Sequence, residues 1–115
     1  MKSDFFYIAH ILECVERIGT YCAGGEAEFF ASEMVQDAVL RNLQVLAESS
    51  QRVSEELKAR YSRVDWRGLS GFRNVVVHDY LGINTARIWH IVSVDLAELK
   101  RQMLEISNEL GRSAT

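Results

Sequence analysis

Proline is absent from this 115-residue chain, so neither a fixed kink nor a proline-marked boundary is available, and glycines and capping residues must punctuate the fold. Cysteine is scarce, with two residues, Cys14 and Cys22. Both fall in one expected helix, about 12 Å apart along its axis, which is beyond the reach of a disulfide. They read as buried thiols. Histidine is limited to His10, His78 and His90. These are scattered, and no Cys or His pair has the spacing of zinc ligands, so no metal and no cofactor is expected. No apolar run approaches the length of a membrane span, and the start Met1-Lys2-Ser3-Asp4-Phe5 lacks a signal-peptide cleavage pattern. A cytoplasmic location without a membrane partner is the expectation.

What the chain does contain is ordinary for one globular domain spanning 1–115, with 48% apolar and 25% charged residues. The net charge of −3 argues against a polyanionic partner, but its distribution does not. Between residues 58 and 87 stand Lys58, Arg60, Arg63, Arg67, Arg73 and Arg87 against Asp65 and Asp79. That window carries +4 and leaves −7 for the rest. The excess is either a basic face or a set of solvated arginines.

Apolar periodicity predicts four helices. In the first, Tyr7, Ile11, Cys14, Ile18 and Tyr21 recur beside Phe5, Ile8, Leu12 and Val15, and the pattern stops at Gly24-Gly25. The second is predicted as one long helix from about Ser32 to Tyr61, with Val35, Val39, Leu46, Val53 and Leu57 on one side. The third would start after Asp65, a capping carboxylate, and end near Gly82. The fourth follows Asn84 and aligns Ile88, Val92, Leu96, Leu99, Met103, Ile106 and Leu110. Wide apolar stripes joined by short connections imply an all-α, up-and-down four-helix bundle. One conflict stands inside the third helix: Val75-Val76-Val77 has weak helix propensity and alone would suit a short buried strand.

The chemistry-bearing run is Gly71-Phe72-Arg73-Asn74-Val75-Val76-Val77-His78-Asp79-Tyr80. An arginine can clamp a phosphate bidentately and a histidine can move protons near neutral pH, so Arg73 and His78 could cleave a phosphodiester by 2′-OH attack without a metal. Asn74 could orient His78 or the phosphate, and Asp79 could fix a tautomer or form a salt bridge. On a straight helix Arg73 and His78 diverge by about 140°, so a shared site needs the helix to end near His78 or a second subunit to complete the cleft. Arg63, Arg67 and Trp66 are candidate RNA contacts, Trp66 as a stacking surface or as a core or interface aromatic. His10 and His90 lack comparable neighbours and read as structural.

Arg73-Asn74-Val75-Val76-Val77-His78-Asp79-Tyr80 resembles the signature of the HepT family of HEPN-domain toxins: arginine, a polar residue, three variable positions, histidine, any residue and tyrosine. Ala9-His10-Ile11-Leu12-Glu13, Tyr21-Cys22-Ala23-Gly24-Gly25, Trp66-Arg67-Gly68-Leu69 and the stretch from Gln36 to Gln44 also look like family blocks. The resemblance implies a helical homodimer with both motifs in one cleft, a metal-independent endoribonuclease toxin, and Arg73 and His78 as its catalytic pair. It further implies an RNA substrate and an MntA-type minimal nucleotidyltransferase antitoxin that transfers AMP to the motif tyrosine, here Tyr80. The chain departs from the pattern where Asp65 and Ala97 replace frequent prolines, both outside the motif. A competing reading is a non-catalytic helical dimer that binds a nucleotidyltransferase and uses the motif for docking.

Overall fold

In the computed structural model the backbone is described for residues 3–78 and 84–113, and the side chains for 3–74 and 84–111. Four long rods form the bundle. They are α1 (Asp4–Tyr21), α3 (Glu33–Arg52), α5 (Trp66–His78) and a C-terminal rod in which α6 (Thr85–His90), one π-helical stretch (Ile91–Asp95) and α7 (Leu96–Ser113) run on without interruption. Two short helices, α2 (Glu26–Ala31) and α4 (Glu55–Arg60), serve as connections. α1 packs along α3 and α7, and α3 packs along α5, which is the expected up-and-down arrangement. The described residues contain no strand.

The predicted stripes are the core. Ile8, Ile11, Cys14, Val15 and Ile18 of α1 meet Val39, Leu43 and Leu46 of α3, Leu69 of α5, and Leu99, Met103 and Ile106 of α7. The ends of the first stripe do not follow: Phe5 and Tyr21 are exposed, outside the packed centre of the bundle. Cys14 is buried and Cys22 half-buried, and both are free thiols. Burial pushes the pKa of each upward, which makes them poor nucleophiles.

Capping residues set the helix ends. The Asp65 carboxylate accepts from the Gly68 N–H at 2.9 Å, and Asn84 Oδ1 accepts from the Arg87 N–H at 3.1 Å, so both predicted starts are built as expected. From its cap at Asp65, α5 runs through Val75-Val76-Val77 to His78 as helix rather than strand. Its partner α3 offers no sheet edge, and three β-branched residues cost an established helix only a few tenths of a kcal/mol each.

Two expectations need correction. First, the long second helix is broken: Val53 and Ser54 are extended, α3 ends at Arg52 and α4 begins at Glu55. The cause lies 50 residues away, where the Asp4 carboxylate accepts from both the Ser54 N–H (2.8 Å) and the Ser54 hydroxyl (2.6 Å). Ser54 Oγ in turn accepts from the Leu57 N–H and caps α4. Asp4→Ala should therefore cost about 1–2 kcal/mol in urea denaturation, whereas Asp4→Asn, which keeps an acceptor, should cost less than half of that.

Second, the connection after Gly24-Gly25, where the periodicity predicts no helix, contains α2. Gly25 starts it at φ +91, in the left-handed region that favours glycine. The other end of α2 is held by the buried Gln36 side chain, whose amide donates to the Phe29 and Phe30 carbonyls at 2.9 and 3.2 Å. Phe29 is thereby fixed in the core against Trp89.

Candidate functional site

The site is built on α5. Its first turn is locked by the Asp65 cap and by Trp66, whose indole N–H donates to the Tyr61 carbonyl at 3.1 Å while its ring packs half-buried against the core. Trp66 thus orients the start of α5 while part of its ring stays accessible. Leu69 anchors the helix inward, and Arg67 remains exposed on the outer side.

Two turns later Arg73 and Asn74 are both exposed. The described ion pairs, Arg17 with Glu13, Lys58 with Glu55 and Arg101 with Glu98 and Glu105, use none of Arg63, Arg67, Arg73 or Arg87. Among the described residues the cations of this region are therefore not consumed by the fold, the condition for holding an external phosphate. His78 is the last residue of α5 whose backbone is described. Because α5 is regular from Arg73 to that point, positions 73 and 78 lie about 140° apart around the axis. Asp79 and Tyr80 lie outside the described residues.

α5 stands away from the C-terminal rod, and between them opens a cleft of about 950 Å³. Phe72, next to Arg73, forms part of its wall. Arg63 and Asp65 contribute from the turn before α5, while Arg87, His90 and Asp95 face them from the opposite rod. In the sequence Arg87 stands only as one member of the basic window, and His90 has no chemical neighbours. Neither one's place beside the motif helix could be read from spacing, since it follows from how far the two rods stand apart.

His10 has a different role. Its Nδ1 shares a 2.8 Å hydrogen bond with Ser49 Oγ, which ties α1 to α3 on the far side of the bundle and satisfies a buried hydroxyl. Among the described residues no group of three or more His, Cys, Asp or Glu side chains converges on one point, and no helix is long and apolar enough to cross a membrane.

The chain resembles several known proteins over most of its length. A Methanocaldococcus jannaschii protein described as a γ-glutamylcyclotransferase and candidate RNase is 31% identical over 98% of this chain, which spans about half (52%) of that relative. A candidate RNase of Caldanaerobacter subterraneus subsp. tengcongensis is 30% identical over 92% of this chain and 96% of its own length. The probable ribonuclease HepT of Thermococcus cleftensis is 27% identical over 86% of the chain and 91% of its own length. No solved structure matches it. The family model described as Ribonuclease HepT-like matches residues 11–106, a span that takes in all of α5 and every core residue from Ile11 to Ile106, and the chain accordingly belongs to the HepT-like ribonuclease family.

Proposed function

We propose that this protein is a metal-independent endoribonuclease that acts as the toxin of a cytoplasmic toxin–antitoxin pair, with Arg73 and His78 as its catalytic residues. The observation that carries the reading is the solvent-facing Arg73, left without an ion pair among the described residues, on the helix that bears the family motif. In this reaction the ribose 2′-OH attacks the adjacent phosphorus, His78 transfers a proton to or from the reacting oxygens, and Arg73 stabilises the charge that builds on the phosphoryl oxygens. The bond to the 5′-oxygen breaks. The products are a 2′,3′-cyclic phosphate and a 5′-hydroxyl.

Asn74, one residue from Arg73 and equally exposed, is suited to hold the phosphate or the imidazole in place, and Asp79 to fix a tautomer of His78. Arg67, exposed on the same helix but about 120° around its axis from Arg73, adds a second positive charge to α5 for the RNA backbone. The separation of positions 73 and 78 around the helix favours a homodimer in which each chain supplies part of a cleft. Control by a nucleotidyltransferase partner belongs to the same reading: AMP attached to Tyr80, seven positions after Arg73 in the motif, would bring a phosphate's negative charge and bulk to compete for the cation that RNA needs.

The test is cleavage of mixed-sequence RNA by unmodified protein in EDTA, with the cut ends identified. Cyclic phosphate ends are expected, and AMP transfer to Tyr80 by the partner enzyme should abolish cutting with a matching rise in intact mass. Protein that is shown by mass to be unmodified and yet leaves every RNA intact would favour the non-catalytic, partner-binding reading.

A further inference from the structure

The cleft between α5 and the C-terminal rod has a composition that simple backbone attraction does not explain. Arg63 and Arg87 bring two permanent positive charges, but Asp65, Asp95 and Glu98 line the same space. Two of these carboxylates are already engaged. Asp65 caps α5 at the Gly68 N–H, and Glu98 is held by Arg101 through hydrogen bonds of 2.9 and 2.5 Å that keep its carboxyl below the usual carboxylate range. Asp95 is exposed and has no such partner among the described residues.

Asp95 is also the last residue of the π-helical stretch Ile91–Asp95. A π turn is wider than an α turn, so it shifts the register of the residues around it relative to a continuous α-helix. Here Ile91 and Leu96, five apart, are both buried, while Val94 and Asp95 are turned outward into the cleft, with Val94 54% exposed. The helix thus accepts a poorer hydrogen-bond geometry at one turn and gains a carboxylate and an apolar side chain on the wall facing α5. Across from them the half-buried Phe72 offers an aromatic surface, and Gln102 adds an amide able to donate or accept.

An aromatic face, one unengaged carboxylate, one amide and two flanking arginines are the parts from which proteins build sites for unstacked single-stranded RNA, with phosphates on the cations and a base read along its edge. We propose that this cleft is the specificity site of the enzyme, seating a guanine nucleotide next to the scissile phosphate held at Arg73. The inference rests on the ribonuclease reading. Guanine is the base that fits because its Watson–Crick edge presents two parallel N–H donors to a carboxylate. Adenine and cytosine offer one amine beside a ring nitrogen acceptor, and uracil offers one N–H between two carbonyls, so each would set a lone pair against an oxygen of Asp95. Arg87, on the C-terminal rod across from Phe72, and Arg63, in the turn before α5, are placed to hold the phosphates on either side.

The experiment compares wild type, Asp95→Asn and Val94→Trp on two single-stranded oligonucleotides that differ only by a guanine or an adenine beside the cleavable linkage. Wild type should prefer the guanine substrate by about ten-fold or more, and Asp95→Asn should lose that preference while still cutting both. Val94→Trp, a change at an exposed position that fills the cleft, should raise KM by about ten-fold with the thermal melt unchanged. Equal cleavage of the two substrates by all three proteins would overturn the specificity site and leave the ribonuclease reading intact. If wild type cuts neither, fluorescence anisotropy with the same oligonucleotides decides: tighter binding of the guanine form, lost in Asp95→Asn, supports the site even as the catalytic reading falls. A change of oligomeric state in Val94→Trp on sedimentation would assign the cleft to a protein interface and overturn the proposal.

Discussion

His78→Ala is expected to reduce RNA cleavage by about a thousand-fold, because a positioned acid–base group contributes roughly 10²–10⁴ to a reaction in which protons must leave the 2′-oxygen and reach the 5′-oxygen. Arg73→Ala should cause a loss of similar size through the phosphoryl charge it no longer offsets. Arg73→Lys should recover only a small part, since an ammonium supplies charge without the planar pair of donors that grips two phosphoryl oxygens at once. Arg73 is exposed and makes no contact on which the core depends, so Arg73→Ala should melt within about 0.5 kcal/mol of wild type. Loss of activity is then separable from loss of fold.

The divergence of positions 73 and 78 around α5 adds a sharper form of the same prediction. If the catalytic pair is drawn from two chains, mixing Arg73→Ala protein with His78→Ala protein after subunit exchange creates dimers with one intact site. Two inactive preparations should then regain a substantial fraction of wild-type activity. Mixtures that stay inactive, in a preparation shown to exchange, would mean that each chain brings its own arginine and histidine together beyond the end of the described helix.

Much of this arrangement was legible in the sequence because it is local. The Asp65 and Asn84 caps act over three residues, and the stripes of α1 and the C-terminal rod repeat at the helical period, so residue spacing alone located them. The break at Val53–Ser54 was not legible. Its cause is the Asp4 carboxylate, and within Ser32–Tyr61 the local signal is Ser54 followed by Glu55 and Glu56, a helix-start pattern that the continuing apolar stripe through Val53 and Leu57 overrides. The π turn was hidden in the same way, since Ile88, Val92 and Leu96 satisfy a simple four-residue spacing while the packed structure also buries Ile91. The motif stands out by residue type, whereas the cleft beside it arises from the stand-off of two rods and has no linear signature.

Phe29→Ala should be the most damaging single truncation outside the long rods, at about 3–4 kcal/mol in urea denaturation. α2 has six residues, far too few to persist by helix propensity, so its position depends on tertiary anchors. Phe29 is the principal one. It is fully buried, with its ring 5.1 Å from that of Trp89 and 5.3 Å from that of Phe30. Removing it empties a space bordered by α2, α3 and α6, and the Gln36 hydrogen bonds that hold the end of α2 cannot close that space by themselves. The neighbouring Phe30→Ala is the internal control: its ring is 41% exposed and rests on Trp89 from outside, so its loss should cost less than about 1 kcal/mol. Similar costs for the two would mean that α2 is not anchored through Phe29. The larger effect at Phe29 should also reach the chemistry, because Trp89 sits in α6 between Arg87 and His90, and the wall of the cleft facing Phe72 is only as rigid as the packing behind that tryptophan.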